Sequence, residues 1–326
     1  MKTPLPYVRH ALIAAALVAT SAGAQTYPSK PVTMVIPFAA GGPTDVVGRL
    51  LAQSMSKTLG QQVIVENTVG AGGTIAATRV ARAAPDGYTV LLHHIGHSTA
   101  PSLYRKLPYD ALNGFETLGL VTDVPMTVVA KGDFQAKDFG DLVRNVKANQ
   151  EKINLANAGT GSASHLCGML LQDAIGVKVT TVPYKGTGPA MNDLLGGQVD
   201  LMCDQTTNTT SYIKSGRIKA YAVTVPKRLA VLPDLPTTRE AGLPAFEVAV
   251  WHGLYAPKGA SSEVVSKMNN ALKVALKDPL VIERFAGLGT EPVAESRTTP
   301  EVHRQFLTAE IAKWKRVIEK AGVQPE

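Results

Sequence analysis

Short apolar segments alternate with helical patterns along most of this chain, and this alternation limits the fold more than any other feature. Val32–Ile36 is a β-branched run typical of a buried strand, and the residues that follow carry apolar side chains at helical spacing from Val47 to Leu59. The same order recurs further along the sequence. Alternation of this kind predicts parallel sheets covered by helices, so we expect a fold of the α/β class.

The N-terminus has the pattern of a secretory signal peptide. Lys2 and Arg9 precede an apolar run over residues 11–19, and Ala22-Gly23-Ala24 matches a cleavage site. The apolar run is too short to cross a bilayer. We therefore predict that residues 1–24 are removed after Ala24 and that the mature protein is exported without a lipid anchor, since no cysteine follows that site.

Size and charge narrow the class of protein further. Removing 24 of the 326 residues leaves 302, enough for two domains, and losing Lys2 and Arg9 lowers the net charge from +7 to +5. Lysines and arginines are dispersed and aromatic residues are few, so we expect no nucleic-acid partner. Cys167 and Cys203 are the two cysteines, and in an exported chain they predict a disulfide; the alternative is two buried thiols that fill core space.

A glycine-rich corner, residues 37–45, follows the first strand and opens a helix. Gly42 or Thr44 can act as N-cap, and with Gly42 in that role Pro43 takes the first helical position, where its missing N–H costs nothing. The first-turn amides would point into the gap, and Gly41 and Gly42 would let an anion approach the main chain. The alternative is an ordinary strand-to-helix turn whose glycines only permit positive φ.

A second corner of the same kind, residues 157–165, follows a predicted strand at Ile153–Ala156. Ser162 or Ser164 can act as N-cap of the next helix. Two anion-binding corners in two halves of one chain predict a cleft between them. Extended stretches at Leu118–Val121 and Met126–Ala130, with Pro125 between them, and at residues 246–255 would let the chain cross from one half to the other.

Eight short motifs occur in register over nearly all of the mature chain, at residues 37–45, 69–73, 85–89, 107–110, 161–165, 182–186, 196–200 and 241–244. Together they resemble the Bug-type, or tripartite tricarboxylate transporter, substrate-binding proteins. The resemblance implies a type II periplasmic binding protein, with two α/β domains, a hinge and a ligand cleft. Domain 1 would comprise residues 25–125 and 247–326, and domain 2 residues 126–246.

The same resemblance implies a function. The protein would sit in the periplasm, capture an organic carboxylate, aliphatic or aromatic, by cleft closure, and deliver it to a membrane transporter or, alternatively, a sensor. Binding and release of a carboxylate require converging hydrogen-bond donors, each worth roughly 1.5–3 kcal/mol when charge-assisted, and no nucleophile. We therefore expect a monomer that uses no cofactor and no metal and is not an enzyme.

The candidate ligand-binding residues come from both corners and from four other stretches. They are Phe38, Ala40, Gly41, Gly42, Thr44 and Asp45; Gly159, Thr160, Gly161, Ser162, Ser164 and His165; and His94, Ser98, Tyr184, Asp204, Gln205 and Thr206. Phe38 could instead belong to the core, and Asp204 could cap a polar turn over residues 204–208. An aspartate in such a pocket would favour a hydrogen-bond donor on the ligand, such as an amine, or a bridging water.

A rival interpretation is an exported serine esterase. Residues 96–100 nearly match the G-x-S-x-G nucleophile elbow, with Ser98 as nucleophile and His252 or His303 downstream. Against it, the last position is alanine, Pro108 shortens the stretch that should form the long helix, and no HGGG-type loop is present. A histidine metal site at residues 93–97 is also disfavoured, because adjacent strand residues face opposite ways and no Cys or Glu has ligand spacing.

Overall fold

The computed structural model describes residues 27–320 and 322–325, and in this part of the chain nine strands and ten α-helices follow one another. The predicted signal peptide lies outside the described residues. The strands are β1 (Val32–Ile36), β2 (Val63–Asn67), β3 (Thr89–His94), β4 (Phe115–Lys131), β5 (Asn154–Asn157), β6 (Thr180–Pro183), β7 (Leu201–Gln205), β8 (Ile218–Val223) and β9 (Ala249–Pro257). The helices are α1 (Pro43–Leu59), α2 (Thr74–Ala81), α3 (Gly96–Leu103), α4 (Phe139–Asn149), α5 (Ala163–Ile175), α6 (Thr187–Leu195), α7 (Thr206–Lys214), α8 (Ser262–Lys277), α9 (Pro279–Gly287) and α10 (Pro300–Lys320).

The strands join in the order β2-β1-β3-β9-β4-β7-β5-β6, and β8 also pairs with β4. β1 runs parallel to β2 and β3, and β5 runs parallel to β6 and β7. The long strands β4 and β9 lie between these groups and run antiparallel to each other and to their other neighbours. The predicted parallel α/β organisation is therefore confirmed, with an antiparallel pair at its centre.

β4 connects two parts of the sheet. Phe115–Pro125 pairs with β9, whereas residues 126–131 pair with β7 and β8. We call β1, β2, β3, β9 and the first part of β4 sheet I, and β5 to β8 with the rest of β4 sheet II. The sequence predicted two extended stretches separated by Pro125, but the structure has one continuous strand. Pro125 is tolerated because it lies where β4 changes partners, so its missing N–H interrupts little of either ladder.

One predicted element has a different secondary structure from the one expected. The polar turn expected at residues 204–208 is absent, because β7 continues through Gln205 and α7 begins at Thr206. Gln205 has extended backbone angles and occupies the N-cap position. Threonine and asparagine suit helix starts as well as turns, because their short polar side chains compete locally for backbone groups in both places.

Six helices begin at the carboxyl ends of parallel strands. β1, β2 and β3 lead towards α1, α2 and α3, and β5, β6 and β7 lead towards α5, α6 and α7. Because the strands in each group are parallel, these helix N-termini share one edge of their sheet. The two edges meet where the functional site lies.

Two further features bear on the sequence predictions. Cys167 of α5 and Cys203 of β7 form a disulfide, as predicted, and it joins a helix of sheet II to the strand beneath it. No helix within residues 27–320 and 322–325 is both long enough and apolar enough to cross a bilayer.

Candidate functional site

A small cavity with a volume of about 10 Å³, room for about one water molecule, lies between the two sheets, and we call it the inner cavity. It receives residues from both predicted corners. Its lining consists of Phe38, Pro43, Thr44, His94, Ala158, Ser162, Ala163, Ser164, Thr187 and Gln205. None of these side chains carries a formal charge, because His94 is fully buried and desolvation holds its pKa well below 6.5.

The N-termini of four helices converge on the inner cavity. Thr44 lies in the first turn of α1, Ala163 begins α5, Thr187 begins α6 and Gln205 caps α7. First-turn amides have no acceptor within their own helix; in α1 the series of main-chain bonds starts only with Val46 N–H donating to the Gly42 carbonyl. These amides and the helix dipoles give the cavity a positive potential that suits an anion.

Asp45 organises the first corner. Its carboxylate accepts hydrogen bonds from Gly41 N (2.9 Å), Arg49 Nε (2.8 Å) and Asn67 Nδ2 (2.9 Å). Burial alone would raise the pKa of Asp45, but these donors bring it below its ordinary value. The Gly41 amide is therefore already used, and we assign the carboxylate of Asp45 to holding the loop. Gly41 has φ +78°, whereas the N-cap Gly42 has φ −80°.

Thr44 contributes its amide rather than its hydroxyl proton. Nδ1 of His252 lies 3.2 Å from the Val250 carbonyl oxygen and donates to it, so Nε2 accepts from the Thr44 hydroxyl at 3.3 Å. The assignment requires a neutral ring, and desolvation lowers the pKa of His252 to about 4. His252, one of the two candidate bases in the esterase interpretation, is therefore hydrogen-bonded to Thr44.

His94 supplies a donor to the cavity. Its Nδ1 accepts from Gly96 N at 2.9 Å, which leaves the proton of the neutral ring on Nε2. The ring stacks on Phe38 with centroids 4.6 Å apart. Phe38 therefore fixes the orientation of His94 as well as lining the cavity.

The second corner presents one hydroxyl proton. Ser164 Oγ accepts from Ala158 N at 2.8 Å, and Ser162 Oγ accepts from His165 N at 3.2 Å. The two hydroxyl groups lie 3.2 Å apart, so one donates to the other and the second proton remains for a ligand. Nδ1 of His165 accepts from Gly161 N, which orders the loop.

A third corner, at residues 183–188, was predicted as part of the site only through Tyr184. α6 begins at Thr187, whose buried hydroxyl is near the Asp204 carboxyl but outside hydrogen-bonding geometry. Gly186 has φ +145°, and a Cβ there would lie 2.8 Å from Ala39 N of the first corner. The signal in the sequence was the pair of glycines around Thr187, which resembles both predicted corners.

Asp204 and Gln205 lie at the end of β7, beside this third corner. Asp204 is fully buried, and its Oδ2 accepts from Asn208 Nδ2 at 2.5 Å. Its Oδ1 has no partner within hydrogen-bonding geometry, although the Gln205 amide and the Thr187 hydroxyl lie close enough to lower the pKa of the carboxyl. Burial raises the pKa of Asp204 to about 7. Gln205 lines the inner cavity, and its Oε1 is buried without a hydrogen-bond partner. Thr206 instead donates to the Gly289 carbonyl at 3.3 Å, outside the cavity.

Ser98 does not form a nucleophile elbow. Its hydroxyl donates to the Ile95 carbonyl at 2.7 Å within α3, an eight-residue helix that contains Pro101. The other proposed base, His303, accepts from Gly119 N through Nδ1. Ser98 lines neither the inner cavity nor the larger one described next, so the geometry gives the esterase interpretation no support.

An outer cavity with a volume of about 280 Å³ continues from Phe38 and Ala158 towards the surface. Gly159, Thr160 and Tyr184 line it, and the Tyr184 hydroxyl donates to Asp193 at 2.6 Å. The full lining is Phe38, residues 70–73, Tyr104, residues 158–160 and residues 183–185.

The two sheets touch across the cleft. The Tyr104 hydroxyl donates to the Thr160 carbonyl at 2.8 Å, and the Thr99 hydroxyl lies 3.4 Å from the Gly161 carbonyl. A Cβ on Gly72 would overlap the Thr160 carbonyl oxygen. On the other side of the cavity, a Cβ on Gly188 would lie 3.3 Å from the carbonyl oxygen of Ala40. Residue Ala40 as a whole is exposed. The two sheets are therefore in contact on both sides of the cavity.

Comparison with known proteins agrees with this architecture. The family model described as tripartite tricarboxylate transporter family receptor matches residues 47–323. The UPF0065 protein in the TAR-I ttuE-ttuC' intergenic region of Agrobacterium vitis is 56% identical over 297 residues, covering 91% of this chain and 86% of the relative.

Two solved structures are similar over most of the chain. BugD, described as a periplasmic binding protein, is 55% identical with a TM-score of 0.90, covering 92% of this chain and 100% of that one. MatC from Rhodopseudomonas palustris with bound malate is 43% identical with a TM-score of 0.87, covering 90% and 100%. The expected periplasmic-binding-protein fold is confirmed, and this chain belongs to the tripartite tricarboxylate transporter receptor family, the Bug-type solute-binding proteins.

Proposed function

We propose that this protein captures a small organic carboxylate by closing the cleft, with the carboxylate group held at the inner cavity and the rest of the acid extending into the outer cavity. We propose further that it delivers the acid to the membrane part of a tripartite transporter. The observation that carries the proposal is the convergence of four helix N-termini on one buried cavity whose lining contains no lysine or arginine. Such a site holds an anion through main-chain amides. MatC, which is similar over 90% of this chain, is described with bound malate.

The cavity lining has enough hydrogen-bond donors to hold a ligand that must later be released. The amides at the starts of α1 and α5, Nε2–H of His94 and one hydroxyl of the Ser162–Ser164 pair are within the same lining. Three charge-assisted hydrogen bonds contribute roughly 5–9 kcal/mol before the cost of ordering and closure. That range allows binding that is firm yet reversible, as transport requires.

We infer the position of the hinge from the pairing of the strands. We place the boundaries between residues 125 and 126 and between 246 and 247, so that domain 1 comprises residues 25–125 with 247–326 and domain 2 residues 126–246. The exchange of β4 partners between Pro125 and Met126, and the start of β9 at Ala249, support these positions. Few residues then need to change conformation during closure.

The proposal includes the setting in which the protein works. The chain is exported by the segment 1–24, acts in the periplasm as a monomer, and uses no cofactor, metal or catalytic step. The helical environment of Ser98 and the engagement of His252 by Thr44 support a binding role over a hydrolytic one.

The test uses protein unfolded in urea and refolded, so that no carried-over ligand remains. A panel of small organic acids, L-malate among them, is compared with the matched neutral amides by thermal shift and calorimetry. At a hundredfold excess over Kd a true ligand adds about 2.7 kcal/mol of stability, and the amide adds none. Equal stabilisation by an acid and its neutral amide would contradict carboxylate capture. So would a panel in which none of the acids stabilises the protein.

Scattering gives an independent readout of closure. The radius of gyration of refolded protein should decrease when the stabilising acid is added. An unchanged radius in protein shown to be ligand-free would favour a rigid pocket over a hinged cleft.

A further inference from the structure

We propose that residues 322–325, which follow α10, form a latch between the two domains. The segment is attached to domain 1, inserts an apolar side chain into a cavity of domain 2, and slows the opening of the cleft. The proposal rests on the proposed function, because it assumes that the cleft opens and closes around a ligand. It adds a segment, outside both cavities assigned to the ligand, that controls how long the ligand stays bound.

The helix that carries the latch is attached to sheet I. Trp251 of β9 donates through Nε1 to Oε2 of Glu310 in α10 at 3.0 Å, and Trp314 donates to the same oxygen at 3.0 Å. The Thr117 hydroxyl of β4 donates to the Pro300 carbonyl at the start of the helix at 2.8 Å. A segment that continues from α10 therefore moves with sheet I when the two domains move relative to each other.

Backbone chemistry at the end of α10 sets the direction of the latch. Gly322 has φ +66°, in the left-handed region, which a glycine adopts without strain. The Gly322 N–H donates to the Glu319 carbonyl at 3.1 Å, and the Val323 N–H donates to the Ile318 carbonyl at 3.3 Å. These two bonds are those of the Schellman motif, which ends a helix and fixes the path of the next residues. Val323 is therefore held in a defined position.

Val323 reaches domain 2. It lines a cavity of about 120 Å³ whose other residues come from β5, β6 and α5, all of which belong to sheet II or pack on it. Leu155 and Met169 are the larger apolar side chains of this lining. Val323 is half-buried and packs against the main hydrophobic core. The latch thus forms an apolar contact between α10 of one domain and α5 of the other.

A hydrogen bond holds the far end of the latch on domain 1. Arg105 Nε donates to the Pro325 carbonyl oxygen at 2.8 Å. Arg105 follows Tyr104, whose hydroxyl donates to the Thr160 carbonyl of the second corner. The latch is therefore fixed next to the hydrogen bond that joins the two sheets across the cleft.

The cavity that receives Val323 shares a residue with the ligand site. Ser164 of the second corner lines both this cavity and the inner cavity. When the cleft opens, the second corner moves away from sheet I, so Val323 is withdrawn from its cavity. Because the contact exists only while the two domains are together, it stabilises that arrangement and adds to the barrier against ligand release.

The first test measures ligand release by stopped-flow fluorescence, using refolded protein and the acid of the panel that stabilises the wild type. Val323→Asp places a charge in the apolar cavity, and we expect the dissociation rate constant to rise at least fivefold. The association rate constant should change less than threefold, because the latch forms only after the ligand has entered. Val323→Ile keeps an apolar side chain and should release the ligand more slowly than Val323→Asp.

A chain ending at Lys320 removes the latch altogether and should match Val323→Asp. A rise of less than fivefold in both proteins would overturn the latch while leaving carboxylate capture intact.

Two matched controls separate the latch from a general effect of charge on an anionic ligand. Gln324→Asp adds the same charge at an exposed position of the same segment and should release the ligand at the wild-type rate. Arg105→Gln and Lys106→Gln each remove one exposed cation, and Arg105 is the one that binds Pro325, so Arg105→Gln should release faster. Equal acceleration in Val323→Asp and Gln324→Asp would overturn the latch.

Scattering from ligand-free protein tests the latch without any ligand. The radius of gyration of refolded Val323→Asp should exceed that of refolded wild type, because a contact that holds the two domains together is lost. If no acid of the panel binds the wild type, carboxylate capture fails by itself, and this comparison decides the latch. Equal radii in the two proteins would then overturn it.

Discussion

The two sides of the cleft differ in how their polar groups are satisfied. On sheet I the carboxylate of Asp45 has three donors and the Thr44 hydroxyl has His252 as its acceptor. On sheet II, Oε1 of Gln205 has no hydrogen-bond partner, and the Thr187 hydroxyl is near Asp204 without a well-formed hydrogen bond. A site whose loop is already ordered binds without an ordering cost, whereas unpaired groups discriminate among ligands. Sheet I therefore offers an ordered loop to a carboxylate, whereas sheet II keeps buried polar groups without well-formed hydrogen bonds.

The two sides also bury opposite kinds of titratable group. Sheet I carries the buried, neutral histidines His97 and His252, whose pKa desolvation lowers from 6.5 to about 4. Sheet II carries Asp204, whose pKa burial raises from 3.8 to about 7. The two sheets should therefore respond to acid with opposite signs.

Acid titration should give the largest effect. Between pH 6.5 and about 4 the unfolded chain binds a proton at each histidine that the folded state excludes, so stability falls by about 1.4 kcal/mol per pH unit for each. For Asp204 the folded state binds the extra proton between about pH 7 and 3.8, so its contribution rises as pH falls. Because the buried histidines outnumber this acid, we expect the wild type to lose stability below pH 6.5 in urea unfolding experiments.

Two variants distinguish the contribution of sheet I to the pH dependence of stability from that of sheet II. His97→Phe should make the fall in stability shallower by about 1.4 kcal/mol per pH unit, and Asp204→Asn should make it steeper by a similar amount. Parallel curves for both variants and the wild type would show that these groups do not titrate as their burial implies.

The disulfide should give the next largest effect, confined to sheet II. The bond between Cys167 and Cys203 closes a loop with a sequence separation of 36, for which the chain-entropy estimate is about 3–4 kcal/mol. The double Cys→Ala protein should lose that much free energy of unfolding in urea. Unchanged stability would mean that the unfolded chain is not restrained by the link.

Closure should depend on the absence of a side chain at Gly72. Gly72→Ala places a methyl group against the Thr160 carbonyl, so affinity for the stabilising acid should fall at least 100-fold, about 2.7 kcal/mol, with no ligand-induced decrease in radius of gyration. Gly60→Ala is the control, because Gly60 has a similar φ of +66° against +57° but no atom within 4 Å of an added Cβ. Equal loss of affinity in both would point to backbone strain rather than blocked closure.

The ordered loop of sheet I should show the smallest effect. Asp45→Asn replaces an acceptor oxygen by a donor among Gly41, Arg49 and Asn67, and we expect about tenfold weaker binding, near 1.4 kcal/mol, by calorimetry. Arg49→Gln removes only the cation, whose side chain is 53% exposed, and should change affinity less than threefold. A larger loss in Arg49→Gln would mean that the ion pair, not the amide contact, holds the loop.

Several parts of this architecture could be predicted because they depend on local patterns. The start of α1 and its end at Gly60 follow from proline and glycine chemistry. Of the two N-cap candidates at each corner, the structure has Gly42 for α1 and Ser162 for α5. The disulfide followed from the compartment and the count of cysteines. Thr187 was missed because a glycine pair beside a proline also suits an ordinary turn.

The sequence by itself determined the alternation of strands and helices, and with it two glycine-rich corners able to face an anion. Only the tertiary structure decided the direction of each side chain: Asp45 turns onto its own loop, whereas Gln205 lines the inner cavity. Local periodicity is set by neighbours along the chain, so it is visible in the residues themselves. Hydrogen-bond partnership is set by atoms distant in sequence, such as Thr44 and His252, and it exists only once the sheets have come together.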